Sequence, residues 1–273
     1  MKIIRLFSFL NMDVALGACT ISFLISKYFE VKLPFFAYLL LFMAVMAIYI
    51  ADHLLDDFKI KHTNISERRQ FYRTNNGYLY FALFNMVWGG FLISLVYLPN
   101  FIFARAYIIV GFVAFYVIFD YFLTSKPIPK ELIIAILYVA GVGFYPIMLQ
   151  NYVDCDGIIL LIAILLIAIE NLLIYSVIDF QDDINCGLTS IANTCGIRFT
   201  NTSIICTFFI NFALIILLQI FSSEKWMYHV VLAIIHCTQI FVYYNREKLQ
   251  RKGLYRWIAD GIFLLPLALL LID

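Results

Sequence analysis

Apolar stretches of about 20 residues alternate with shorter polar breaks along most of the chain. About nine such stretches are visible, centred near residues 18, 43, 88, 112, 141, 168, 212, 235 and 264, each long enough to predict a membrane-spanning helix. The long breaks, His53 to Gly77, Asp179 to Thr202 and Tyr244 to Tyr255, follow the second, sixth and eighth stretches and so share one face of the membrane. Pro34, Pro99, Pro127, Pro129, Pro146 and Pro266 sit near or inside the stretch ends, where they start, stop or kink helices. No repeat, low-complexity tract or long linker divides the chain, so residues 1–273 read as a single membrane-embedded domain. The first stretch has no A-x-A-like cleavage site and reads as a retained transmembrane helix. The expected fold is all-α, with about nine transmembrane helices around a central cavity.

Composition sharpens this by exclusion. Of the 273 residues 64% are hydrophobic and 14% charged, against roughly 25% charged in soluble domains. Mean hydropathy is +0.92. A soluble enzyme and a disordered chain are both excluded, and 27 Phe with 18 Tyr and so little charge exclude a coiled coil. A net charge of +1 gives no attraction to nucleic acid, so no nucleic-acid partner is expected. The distribution of charge is more informative than its sum. With the N-terminus in the cytoplasm, all of the 19 Lys and Arg except Lys27, Lys32, Arg105 and Lys225 fall on the cytoplasmic side, which also receives every long loop. The basic run from Arg246 to Lys252 is expected to contact anionic headgroups of membrane lipid. The six cysteines form neither a CxxC pair nor a Cys/His ligand pattern and read as buried, unpaired thiols.

Carboxylates at membrane depth are costly and mark partners, cavities or ion paths. Six aspartates form two clusters, Asp52, Asp56 and Asp57 at the end of the second stretch and Asp179, Asp182 and Asp183 at the end of the sixth. A spacing of four puts Asp52 and Asp56 on one helical face, and likewise Asp179 and Asp183. Two such faces opposed across a cavity would hold Mg²⁺, which takes a few carboxylates and bridges to phosphate oxygens, so the implied substrate is a diphosphate. Asn171 and Tyr175 continue the second face inward at the same four-residue interval. After it, Gly187 reads as a helix stop, Thr189 or Ser190 as the cap of a short restart, and Gly196 as a second stop. Asn11 and Asp13 in the first stretch and Asp260 in the ninth are further cavity candidates, Asp120 and Glu170 could face the cavity or pair internally, and His229 and His236 read as packed or interfacial and not as ligands.

Asp179, Asp182 and Asp183 followed by Gly187, Thr189, Ser190 and Gly196 resemble the second aspartate motif of the UbiA-type intramembrane prenyltransferases. Nine helices and two cytoplasmic Asp-rich loops are similar to that family too, although the motif itself covers only about 40 residues. The family's first motif, N-D-x-x-D-x-x-x-D, is altered here. Its key positions hold Asp52, Asp56 and Ile60, and His53 stands in the intervening acidic place. Tyr49, Asp52 and Asp56, with Glu67, Arg68 and Tyr72, better resemble a divergent branch that reads Y-x-x-D-x-x-x-D and then E-R-x-x-x-(Y/F).

The resemblance implies Mg²⁺-dependent transfer of an isoprenyl group from an isoprenyl diphosphate to an acceptor that the sequence does not identify. Asp52, Asp56, Asp179 and Asp183 would be metal ligands, and Asn11, Asp13, Asn171 and Tyr175 would line the site. A departing diphosphate needs preorganised positive charge, for which Arg68, Arg69, Arg73, Lys126 and Lys130 are the candidates. Three other readings stand beside transfer: a membrane terpene cyclase of the same fold, an ion-coupled transporter using intramembrane carboxylates, and a catalytically silent relative in which Ile60 marks the lost third carboxylate.

Overall fold

A computed structural model describes residues 2–59, 67–122, 130–150, 152–251 and 254–271. These residues are helical almost throughout, and no strand occurs among them. Seven helices are long and apolar enough to cross a membrane: α3 (Phe35–Lys59), α5 (Asn76–Tyr97), α6 (Asn100–Phe122), α7 (Lys130–Met148), α8 (Cys155–Ile178), α11 (Ile197–Phe221) and α12 (Trp226–Tyr244). The chain is thus an all-α, multi-pass membrane protein.

The first and ninth apolar stretches take other forms, each for a local reason. The first is split by Asn11, whose left-handed backbone (φ 55°) separates α1 (Lys2–Phe9) from α2 (Met12–Tyr28). That leaves α2 with 17 residues. The ninth begins as α14 (Tyr255–Gly261) and continues as a 3₁₀ segment, Ile262–Leu271. The change falls four residues before Pro266, where the ring would clash with the carbonyl of an α-helical turn. Three short helices sit between the long ones, α4 (Glu67–Thr74), α9 (Phe180–Cys186) and α10 (Ile191–Thr194), and α13 (Arg246–Arg251) joins α12 to α14.

The core runs through α2, α7, α8, α11 and α12, where Ile21, Leu24, Leu160, Ile164, Ile167, Leu218, Leu232 and Ile235 interlock. Close backbone approach depends on glycine at two places. A Cβ on Gly17 would lie 2.9 Å from Phe263, where α2 meets the 3₁₀ segment, and one on Gly157 would lie 2.5 Å from the Phe29 ring. A second cluster sets α3 against α5, with Met46, Ile50 and Leu54 recurring every four residues against Leu79.

Side-chain contacts sort the helix ends into two sets. At one end Tyr28 donates to Asp156 at 3.0 Å and lies 2.8 Å from Ser222, and the Lys225 ammonium sits 4.3 Å above the Tyr28 ring. At the other end gather the start of α2, the end of α3, α4, the end of α8, α9, α10 and the start of α14. Both aspartate clusters lie at this second end.

The cysteines depart from expectation. All six are free thiols, but only Cys186 is buried, whereas Cys155, Cys195, Cys206 and Cys237 are exposed. Cys206 and Cys237 lie on outward faces of α11 and α12. In a membrane bundle an apolar stretch is as readily satisfied by lipid as by protein, so apolar sequence context does not imply burial.

Candidate functional site

The first aspartate cluster is aimed by the packing of α3. Met46, Ile50 and Leu54 bury one side of the helix, and Asp52 and Asp56, two residues further along, emerge on the opposite side. Donor atoms of Asp52, His53 and Asp56 lie within 4.8 Å of one another. The chain then turns back through α4, whose side chains close over this end. Arg68 donates to Asn11 Oδ1 and to His53 Nε2, and the Tyr72 ring meets His53 edge-on with centroids 4.7 Å apart. Arg73 Nε donates to Asp57 Oδ1 at 2.8 Å. Burial and the neighbouring Arg256 lower the Arg68 pKa, and burial raises the Tyr72 hydroxyl to about 12.

The second cluster forms where α8 ends. Asp179 breaks the helix and α9 resumes at Phe180, so the four-residue face bends at this aspartate instead of continuing straight. Asp183 turns inward while Asp182 is exposed, as the spacing required. Asp179 accepts from the Tyr255 hydroxyl at 2.7 Å and from Arg256 Nη2 at 2.5 Å. Arg69 reaches across from α4 to Asp183, 3.4 Å away, and so joins the first motif's return helix to the second motif. Burial and the adjacent Asp179 carboxylate push Asp183 up to about 6, and Lys130, Arg69 and Ser190 oppose that rise. The loop beyond follows the sequence expectation at Gly187 and Ser190 and departs from it at Gly196, which starts a helix where the sequence predicts a stop. Gly187 closes α9 with φ 69°, Ser190 precedes α10, and Gly196 (φ 91°) opens α11. Glu131 Oε1 and Ser176 Oγ accept the first two N–H groups of α10, at 2.6 and 2.9 Å, and so hold the loop in place.

Between the two clusters lies a buried polar layer. Asn171 Nδ2 donates to Asp260 Oδ1 at 3.4 Å, and Arg256 lies 5.3 Å from the Tyr175 ring centroid and 5.3 Å from that of Tyr255. Asp13 and Asp260 are both buried, and each is close enough to the other and to Arg68 to feel its charge. Asn11 Nδ2 and Asn171 Oδ1 are buried without a hydrogen-bond partner among the described residues. Such amide atoms call for a polar ligand or water.

Sequence candidates therefore meet in space. Asn11, Asp13, Asp52, Asp56, Arg68, Arg69, Arg73, Lys130, Asn171, Tyr175, Asp179 and Asp183 all lie at one end of the bundle. Lys126 and Ile60 fall outside the described residues, as does the side chain of Asp120. Glu170 pairs internally: its Oε2 lies 2.9 Å from His236 Nδ1, and Asn211 Nδ2 donates to its Oε1 at 3.3 Å. His229 is packed against Gln219 and Ser222, at 2.9 and 3.3 Å. Sequence reasoning missed Arg256 and Tyr255 as site residues. The signal was present in the four-residue spacing of Arg256 and Asp260, which places a cation and a carboxylate on one face as the last stretch begins.

The donor set at α3 fits a hard divalent cation. Asp52 and Asp56 supply carboxylate oxygens from one helical turn, and Mg²⁺ takes one or two carboxylates and completes its shell with water and phosphate oxygen. Because Arg68 donates to His53 Nε2, that lone pair is engaged, which leaves the two carboxylates as the ligands. Among the described residues the group does not extend to Asp179 or Asp183. Compared with family models, curated proteins and solved structures, the chain matches none.

Proposed function

We propose that this membrane protein is a Mg²⁺-dependent prenyltransferase that takes an isoprenyl diphosphate and passes its isoprenyl group to a lipophilic or aromatic acceptor. The observation that carries this reading is the convergence of the two aspartate motifs on one bundle end, bridged by Arg69 to Asp183 and interleaved with Arg68, Lys130 and Arg256. Carboxylates alone would suit a simple cation site. Carboxylates mixed with several guanidinium groups suit a polyanion that arrives with a divalent ion.

In this mechanism Asp52 and Asp56 would hold the ion, and Asp179 and Asp183 would offer carboxylates on the facing motif. Bound there, the ion would supply positive charge that offsets the charge of the diphosphate. Arg69, Lys130 and Arg256, with Lys126 and Arg73 from the flanking segments, stabilise the diphosphate as the bond from its oxygen to the allylic carbon breaks and the electron pair leaves with oxygen. Arg68 is fixed by Asn11 and His53 and keeps its charge pointed at the same space. Asn171, Tyr175, Asn11 and Asp13 line the inner wall, where the isoprenyl carbon meets the acceptor; the new carbon bond forms there and the acceptor loses a proton. The UbiA-like nine-span arrangement belongs to this proposal, with α2 and the α14 to Leu271 segment as its outer spans. So does the placement of the N-terminus and the aspartate motifs in the cytoplasm, which rests on the distribution of Lys and Arg.

Purified protein incubated with labelled geranyl, farnesyl or geranylgeranyl diphosphate and candidate acceptors tests the reading. Mg²⁺-dependent formation of a prenylated acceptor, lost in Asp56→Asn and in Asp179→Asn, is the expected outcome. A cyclic hydrocarbon formed without acceptor would make the protein a cyclase instead, and no consumption of any diphosphate would refute the reading.

A further inference from the structure

The helix α5 presents two different faces. Leu79, Leu83 and Met86 pack against α3, and a Cβ on Gly89 would lie 3.2 Å from Met43, so this side is docked within the chain. The other side carries Tyr78, Phe81, Asn85, Trp88, Leu92 and Leu95, all exposed. Their spacing runs three, four, three, four, three, which is the a/d seam of a heptad repeat. Of the α5 span 11% is buried and of the α6 span 6%, against 50% of α8, so a bare surface alone does not single out α5.

Asn85 is the feature that lipid does not explain. It is exposed and sits near the middle of a 22-residue span, roughly 15 Å from the helix start. Its Nδ2 donates to the Phe81 carbonyl at 2.7 Å, and among the described residues the rest of the amide has no protein partner. Hydrocarbon offers nothing to an amide oxygen, and polar residues in such positions usually face another helix.

We propose that the exposed seam of α5 is a homodimer interface, with Asn85 hydrogen-bonded to Asn85 of a second copy. All copies insert in the same orientation, so a twofold axis along the membrane normal makes the two α5 helices parallel. In a parallel pair an a position faces its own counterpart, and a carboxamide, with donor and acceptor, is complementary to itself. One polar residue at an a position also fixes the register, which an all-apolar seam in lipid would leave loose.

The test uses the full-length protein in lipid vesicles, labelled for single-molecule photobleaching and diluted progressively with lipid. Two-step bleaching that gives way to one-step at high dilution is expected. Asn85→Leu should lower the association constant about 5–30-fold, the usual range for an interhelical polar pair in model peptides, and Asn85→Gln should largely retain it. The internal back-bond to Phe81 is the only described contact that Asn85→Leu removes, so its thermal stability as a monomer should match the parent. On the parent background, Leu92→Cys should form an oxidative cross-link on the seam, and Val87→Cys, half a turn away and also exposed, should not. One-step bleaching at every density, an unchanged association constant in Asn85→Leu, or equal cross-linking at residues 92 and 87 would overturn the proposal and leave the face to lipid.

Discussion

Single side chains divide the work at the aspartate-bearing end of the bundle. Asp52 and Asp56 emerge opposite the buried Met46, Ile50 and Leu54, so an apolar stripe on one side of α3 aims the carboxylates on the other. Asp179 is held by Arg256 and Tyr255, and Asp183 by the reach of Arg69 from α4. Charge-assisted hydrogen bonds of this kind contribute about 1.5–3 kcal/mol, so Arg69→Gln and Arg256→Gln should each weaken isoprenyl diphosphate binding by roughly tenfold or more. Lys248→Gln, an exposed position on α13 with no described contact to either aspartate motif, should leave it unchanged; equilibrium binding of a radiolabelled diphosphate separates the three. The four-residue spacing that marks Asp52 with Asp56, and Asp179 with Asp183, was legible in the sequence because a helix converts spacing directly into a face. Arg256 was less so, because a basic residue beside a membrane span is expected from topology alone and its four-residue spacing to Asp260 is a weaker cue. Its contact with Asp179, 77 residues away, is what ties it to the second motif in the structure.

Between elements, the same logic operates deeper in the bundle. Glu170 on α8, Asn211 on α11 and His236 on α12 are all buried and bonded to one another, tying three spanning helices. Breaking a buried pair by removing one partner costs about 3–5 kcal/mol, whereas replacing both with apolar residues is often close to neutral. Glu170→Leu and His236→Leu should therefore each lower the midpoint of thermal unfolding in detergent, and the double variant should be more stable than the worse single; strict additivity would contradict the pairing. At Gly157 a Cβ would lie 2.5 Å from the Phe29 ring, so Gly157→Ala should destabilise by roughly 1–3 kcal/mol in the same assay. Element boundaries were partly legible. Gly187, Ser190 and Gly196 end, cap and reopen helices where their backbone preferences dictate. The ninth stretch was less so, since hydropathy reports lipid affinity and not the 3₁₀ geometry that precedes Pro266.

At the scale of the whole molecule, hydropathy made the membrane class and most spans legible, because burial in lipid demands long apolar runs whatever the packing. It could not say which faces of those runs pack on protein. The exposed Cys206 and Cys237 and the bare seam of α5 follow from that indifference. The excess of Lys and Arg on the motif side gives a topological prediction: in intact cells an impermeant label should react with a cysteine placed at Tyr152, exposed at the opposite end, and not with one placed at Asn64 between α3 and α4. The central claim is that both aspartate motifs and the arginines between them form one cation-dependent diphosphate site. Equilibrium binding of labelled farnesyl diphosphate to the purified protein, titrated with Mg²⁺ and repeated for Asp56→Asn and Asp183→Asn, tests it most directly. The account predicts saturable binding that requires Mg²⁺, is reversed by chelator and is lost in both variants. Binding that persists without the ion, or survives in either variant, would contradict it.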